Sequence, residues 1–144
     1  MSRSPLIFLD TSFFIAWFSP DDELHRRAFR WRNVLHNPFI TTEFVLLELA
    51  DGLARRRQVG NSVTIIDGLR RKPALEIVPA DWDWIAQGYS LFRQRTDKEW
   101  GLTDCISFTL MKQRGITDAL THDSHFEQAG FRALLRHEPP TNGR

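Results

Sequence analysis

The chain has 144 residues, 42% hydrophobic and 26% charged, a globular balance at a length that supports one domain with one core. Its 19 Lys+Arg against 18 Asp+Glu leave a formal charge of +1. That near-neutrality excludes a globally basic nucleic-acid coat and an acidic tail, so any nucleic-acid contact must come from local clusters.

Leu6-Ile7-Phe8-Leu9 is an apolar run that stops at Asp10 and predicts a strand buried on both faces. Ser12 is placed to cap a short helix from Phe13 to Phe18, ended by Ser19-Pro20. A second helix is expected from Asp21 or Asp22, because Leu24, Ala28, Trp31 and Leu35 recur on one helical face. Asn37-Pro38 marks a turn before a minimal strand, Phe39 to Thr41. Thr42 is an N-cap for a helix through Val45, Leu46, Leu49 and Leu53 toward Arg57. Gly60 is expected to end that helix and Asn61 to cap the next, Val63 to Leu69, broken at Lys72-Pro73. Leu75 to Val78 is a third strand, closed by Pro79.

Asp81 caps a helix with Trp82, Ile85, Ala86, Tyr89 and Phe92 on one face. After a polar loop, Thr103 is expected to cap a helix carrying Ile106, Leu110 and Met111, with Gly115 as its C-cap. Ala119 to Thr121 is a fourth strand ending near Asp123. A short helix with Phe126 and Ala129 closes at Gly130, and Phe131 to Leu135 is a last, edge strand. Residues 1–136 are expected to form the domain, and 137–144, with Pro139-Pro140 and Asn142-Gly143, a frayed tail.

Strands alternating with helices predict an α/β fold: one short parallel sheet flanked by helices. The single cysteine, Cys105, excludes an intramolecular disulfide and a Cys-only zinc site, and fits a reducing, cytoplasmic setting. No apolar run approaches the length of a membrane span, and Met1 to Pro5 are too few and too polar for a signal peptide.

In open parallel sheets, ligands bind beyond the carboxyl ends of the strands. Asp10 and Asp123 follow such ends, Asp104 lies in the first turn of a helix, and Glu48 sits among apolar neighbours that place it near a buried face. Each has a purely structural reading. Asp10 suits an N-cap, Asp104 a helix dipole, Asp123 an Asx-turn, and Glu48 an ion pair with Arg55 or Arg56. Taken together, four acids at one sheet edge repel, and hard divalent cations with oxygen ligands, Mg²⁺ or Mn²⁺, relieve that repulsion.

The strings Leu9-Asp10-Thr11-Ser12, Thr42-Glu43-Phe44-Val45-Leu46-Leu47-Glu48-Leu49-Ala50, Leu102-Thr103-Asp104-Cys105 and Leu120-Thr121-His122-Asp123-Ser124-His125-Phe126 resemble the PIN-domain nucleases. Within that family the chain is similar to the small VapC-type toxins of prokaryotic toxin–antitoxin pairs, over about residues 6 to 135. The resemblance implies a metal-dependent endoribonuclease whose acidic site maps to Asp10, Glu48, Asp104 and Asp123, with Ser12 as a polar helper. It also implies an RNA substrate, a small antitoxin partner and a homodimer. The alternatives are a non-toxin RNA-processing nuclease, a structure-specific DNA nuclease of related fold, and a non-catalytic RNA-binding module.

Other constellations carry less. His122 and His125 stand three apart, but no further nitrogen or thiol ligand completes a structural zinc site, so roles behind the ligands or facing solvent are expected. Cys105 reads as a buried, inert thiol. Basic clusters at Arg26-Arg27, Arg30 and Arg32, Arg55 to Arg57, Arg70 to Lys72, and Arg93, Arg95 and Lys98 suit either solvated helix ends or phosphate contacts. Trp17, Trp84 and Trp100 suit base stacking or an interface. Phe13, Phe14, Trp17, Phe18 and Trp31 are expected to leave an apolar groove for the antitoxin, between the early helices and the helix at Thr42 to Arg57.

Overall fold

The computed structural model describes residues 4–141; the expectations for Met1–Arg3 and for Asn142-Gly143 lie outside them. The elements in order are β1 (Ile7–Leu9), α1 (Thr11–Phe18), α2 (His25–Val34), β2 (Phe39–Thr42), α3 (Glu43–Arg55), α4 (Val59–Arg70), β3 (Leu75–Val78), α5 (Trp82–Gln94), α6 (Leu102–Arg114), β4 (Asp118–Leu120), α7 (Ser124–Gln128) and β5 (Arg132–Ala133). A 3₁₀ turn, Leu134–Arg136, follows. The five strands form one sheet in the order β3-β2-β1-β4-β5, and every pairing is parallel. The predicted α/β architecture is the one observed.

The strand order carries a functional consequence. From β1 the chain steps through β2 to β3 on one side, then returns to β4 and β5 on the other. Right-handed crossovers then put α1 to α4 on one face and α5 to α7 on the opposite face. The topological switch lies between β1 and β4, and in such sheets ligands bind beyond the carboxyl ends of the strands at that point. The central strand β1 is wholly enclosed: Ile7, Phe8 and Leu9 are all buried. Phe8, Phe108, Phe126 and Trp100 continue that core, with Phe108 edge-on to Phe126 at 4.9 Å and to Trp100 at 5.1 Å.

Several boundaries differ from the expectations for local reasons. Asp10 itself is the N-cap residue of α1, because β1 ends one residue before it; Ser12 lies inside the helix. Helix α2 starts at His25 because the Asp22 carboxylate accepts from the Leu24 N–H at 2.9 Å, holding residues 21–24 in a turn. Gly60 and Asn61 lie within α4. The break before it comes from Arg57, in the left-handed region at φ 59°. Gly101, not Thr103, is the N-cap of α6. The last strand is only two residues long. Thr42 and Asp81 cap as expected, accepting from Val45 N–H at 3.1 Å and Trp84 N–H at 3.0 Å. Gly115 and Gly130 close their helices with positive φ.

Two larger expectations fail. The α5 face of Trp82, Tyr89 and Phe92 points outward, with Trp82 74% exposed; Trp84, Gly88 and Leu91 face the core instead. The start of the supposed frayed tail is tied down: Trp31 Nε1 donates to the His137 carbonyl at 2.9 Å, and Arg27 and Arg30 pair with Glu138.

The α5 assignment has a sharp test. A Cβ on Gly88 would collide with the Ile106 side chain and come within 3.0 Å of the Ile106 backbone. Helices α5 and α6 can approach this closely only without it. Gly88→Ala is expected to cost about 1–3 kcal/mol through overpacking, despite the better helix propensity of alanine, and a lowered melting temperature checks it.

Candidate active site

Four elements deliver carboxylates to the switch-point crevice. Asp10 leaves the end of β1 and is buried, 7% exposed. Asp123 follows β4 and is the N-cap of α7, where its Oδ1 accepts from the His125 N–H at 2.9 Å. Asp104 sits in the first turn of α6, and its Oδ2 accepts from the Gly101 N–H at 3.2 Å. Glu48 projects from α3, and its Oε1 accepts from the Thr11 hydroxyl at 3.0 Å. The acids sense one another. Asp104 and Glu48 both act on Asp10, Asp104 and Asp123 act on Glu48, and Asp123 acts on Asp104. Of the four acids expected from the sequence, Asp104 and Asp123, with His125, offer ligand atoms within 4.8 Å of one another; Asp10 and Glu48 stand near enough to feel their charge but lie outside that triad. The expected buried position of Glu48 is corrected: the residue is exposed and forms the open rim of the crevice.

The electrostatic state follows from burial and like charge. Burial pushes the Asp10 carboxyl up to about 7, with Asp104 and Glu48 adding to the rise; hydrogen bonds from the Thr121 side chain and the Thr11 backbone oppose it. Asp104 is raised by desolvation and then by Asp123. Glu48 is raised too, since its carboxyl tip is partly desolvated and faces Asp104 and Asp123. Among the described residues no Lys or Arg comes within ion-pair distance of these acids; His125 alone does. The donor set is rich in oxygen, anionic and otherwise uncompensated, which is what a hard divalent cation fits.

Hydroxyls order the acids. The Thr121 hydroxyl donates to Asp10 Oδ2 at 2.8 Å, so its single proton is committed. Ser12, 3.2 Å away, must then donate to Thr121 Oγ1, while accepting from the His122 N–H at 3.0 Å. Thr121 Oγ1 also accepts from the Asp123 N–H at 3.0 Å. One buried threonine thus links the β1 acid to the loop that carries Asp123. Ser12 supports this chain; it does not cap a helix.

Thr121 was not singled out by the sequence for the site, and His125 was expected only behind the ligands or facing solvent. His125 Nδ1 lies 3.3 Å from both Asp104 Oδ2 and Asp123 Oδ1. Its position two residues past Asp123, on the first turn of the short α7, is the signal that would have found it. Cys105 is buried beside Asp104, and burial pushes its thiol up to about 11, as expected for an inert residue.

The surfaces flanking the crevice are more modest than expected. Phe13, Phe14 and Trp31 are core residues, and Trp17 and Phe18 are half-buried against it. Trp100 is buried, its Nε1 donating to Gln128 Oε1 at 3.0 Å, and is not free to stack on a base. Two hollows remain beside α1. One, of about 410 Å³, runs between α1 and α3 from Thr11 and Glu48 past Gly52 to Arg55. The other, of about 350 Å³, is apolar and lies among Phe13, Trp17, Leu35, Phe39 and Leu69, with Arg32 over the rings of Trp17 and Phe39. Several cations of the basic clusters are already engaged: Arg27 and Arg30 by Glu138, Arg95 by Asp97.

Comparison with known families decides the lineage. The PIN domain family model matches residues 7–132. The chain belongs to the PIN-domain family. Among curated relatives of this PIN domain is the 23S rRNA-specific endonuclease VapC20 of Mycobacterium tuberculosis, 27% identical over 127 residues, covering 88% of this chain and 95% of the relative. The crystal structure of M. tuberculosis VapC20, described as a Sarcin-Ricin loop cleaving toxin, superposes with a TM-score of 0.83 at 26% identity, covering 89% and 98% of the two chains. FitAcB from Neisseria gonorrhoeae matches this PIN domain at a TM-score of 0.65 and 22% identity, covering 91% and 99%. DNA-bound VapBC from Salmonella typhimurium matches at 0.61 and 16%, covering 91% and 97%. The last two share the fold.

Proposed function

We propose that this PIN-domain chain is a divalent-metal-dependent endoribonuclease acting on RNA phosphodiesters, and the toxin of a toxin–antitoxin pair. Asp10, Glu48, Asp104 and Asp123 hold Mg²⁺ or Mn²⁺ and carry the catalysis, with Ser12 as a helper. The observation that carries the reading is the triad of Asp104, Asp123 and His125, with ligand atoms within 4.8 Å of one another, beside Asp10 and Glu48 and without a Lys or Arg partner among the described residues. The cation, when bound, supplies charge stabilisation for the phosphodiester and activates water. Asp10 is the buried anchor, held by Thr121. Asp104 and Asp123 present oxygens already oriented by backbone N–H groups. Glu48, at the open rim, orients the attacking water.

The similarity to VapC20 makes a structured ribosomal RNA the first substrate to test. The hollow between α1 and α3 leads from Glu48 to Arg55 and suits a segment of the antitoxin, whose basic side chain would compete with the cation for the acids. No helix of the described residues is long and apolar enough to cross a membrane. A cytoplasmic setting is supported by the single, free Cys105 and by the similarity to VapC20. Expression of the wild type alone is expected to arrest growth, and co-expression with the neighbouring reading frame to restore it. The purified protein is expected to cleave RNA with Mg²⁺ or Mn²⁺ and to stop in EDTA. Growth equal to that with Asp10→Asn would favour a non-toxin RNA-processing nuclease.

The homodimer forms through α5. Trp82, Tyr89 and Phe92 lie on one exposed helical face, an apolar row that a lone small domain rarely leaves open. Sedimentation is expected to give twice the monomer mass for wild type and the monomer mass for Tyr89→Glu. A monomeric wild type would refute the pairing.

A further inference from the structure

We infer that His125 is a nitrogen donor to the cation centre, which makes the site a mixed oxygen–nitrogen shell that favours Mn²⁺ over Mg²⁺. This rests on the metal-centre reading above and adds a ligand to it. Nδ1 of His125 lies 3.3 Å from Asp104 Oδ2 and 3.3 Å from Asp123 Oδ1. One nitrogen, with at most one proton, stands equidistant from two carboxylate oxygens, beyond the usual length of an N–H···O bond to either. As a hydrogen bond this is a poor, divided arrangement. As neighbouring corners of an octahedral shell it is natural, because ligands with bonds of about 2.1 Å sit roughly 3 Å apart. The three donor atoms lie within 4.8 Å of one another.

Local structure holds this triangle in place. Asp123 Oδ1 is oriented by the His125 N–H at 2.9 Å, a cap bond that also fixes where the imidazole starts. Asp104 Oδ2 is oriented by the Gly101 N–H at 3.2 Å. Each oxygen therefore spends one lone pair on the backbone and keeps the other for a cation. The nearby His122 has no such position, since its ring makes no hydrogen bond or ion pair among the described residues. Imidazole is a better ligand for transition metals than for Mg²⁺, which prefers oxygen and water. Selectivity then follows from one side chain.

The test is pulsed electron paramagnetic resonance of Mn²⁺ bound to the full chain, paired with calorimetric titrations of Mn²⁺ and Mg²⁺. Wild type and His122→Gln are expected to show coupling from an imidazole nitrogen, and His125→Gln to lose it. His125→Gln is also expected to weaken Mn²⁺ binding about tenfold and Mg²⁺ binding less than about twofold. Mn²⁺ bound to wild type without nitrogen coupling would overturn the inference while leaving the carboxylate centre standing. Equal losses of Mn²⁺ and Mg²⁺ would overturn it too. Nitrogen coupling in a protein that cleaves no RNA would sustain the ligand and remove the nuclease reading.

Discussion

Asp104→Asn is expected to lower RNA cleavage roughly 10³-fold or more, the loss that follows removal of a principal charge-stabilising group. The fold should survive. Asn retains an oxygen to accept from the Gly101 N–H, so the start of α6 keeps its bond. The substitution also removes a charge that is half-buried and faces Asp123, the two causes that raise the Asp104 pKa. Relief of both leaves the metal-free variant at least as stable as wild type. Steady-state cleavage assays and thermal melts of the same preparation check the pair of outcomes. Activity within a few-fold of wild type would remove Asp104 from the catalytic set. Inactivity with a collapsed melt would instead return it to a structural role.

The metal-free protein is expected to lose stability as pH rises from about 4 through about 7. Asp10 drives this, with a folded-state value of about 7 against an ordinary 3.8. A carboxyl raised in this way keeps its proton in the native state where the unfolded chain has already released it. The native state binds more protons across that window, so stability is fully present below the ordinary value and falls as pH climbs through the raised one. With each pH unit worth about 1.4 kcal/mol, the ceiling from Asp10 is about 4 kcal/mol. The upward shifts of Glu48 and Asp104 have the same sign. Asp10→Asn should flatten the dependence, and Mg²⁺ or Mn²⁺ should restore wild-type stability at pH 8 by binding the ionised form. Denaturant titrations from pH 4 to pH 8, with and without metal, measure it. A wild type as steady across this range as the variant would show that burial does not hold a proton on Asp10.

The parts that were legible in the sequence share a cause: they depend on neighbours along the chain. The apolar run ending at Asp10 is a strand because nothing polar interrupts it, and Thr42, Asp81, Gly115 and Gly130 act through bonds or backbone angles of their own turns. The acids could be grouped because strand ends converge once the sheet is parallel. What was not legible depends on tertiary partners. The aromatic face of α5 looks like a core face by period alone. Only Gly88, through its contact with Ile106, decides which side packs. The α3–α4 break rests on Arg57, whose positive φ no local pattern announces. Phe13 and Phe14 read as surplus to a small core, yet both are wholly buried. Glu48 has apolar sequence neighbours, but the helix turns it to the rim. Thr121 and His125 act across chain separations of 111 and 21 residues, which spacing rules do not reach.

The proposed chemistry depends on four carboxylates, from β1, α3, α6 and the β4–α7 loop, building a single divalent-cation centre. An anomalous difference map from a crystal soaked in Mn²⁺ tests it most directly. The predicted result is manganese density in the crevice among Asp10, Glu48, Asp104 and Asp123, in contact with Asp104 Oδ2 and Asp123 Oδ1. Manganese elsewhere on the molecule, with that crevice empty at saturating Mn²⁺, would contradict it.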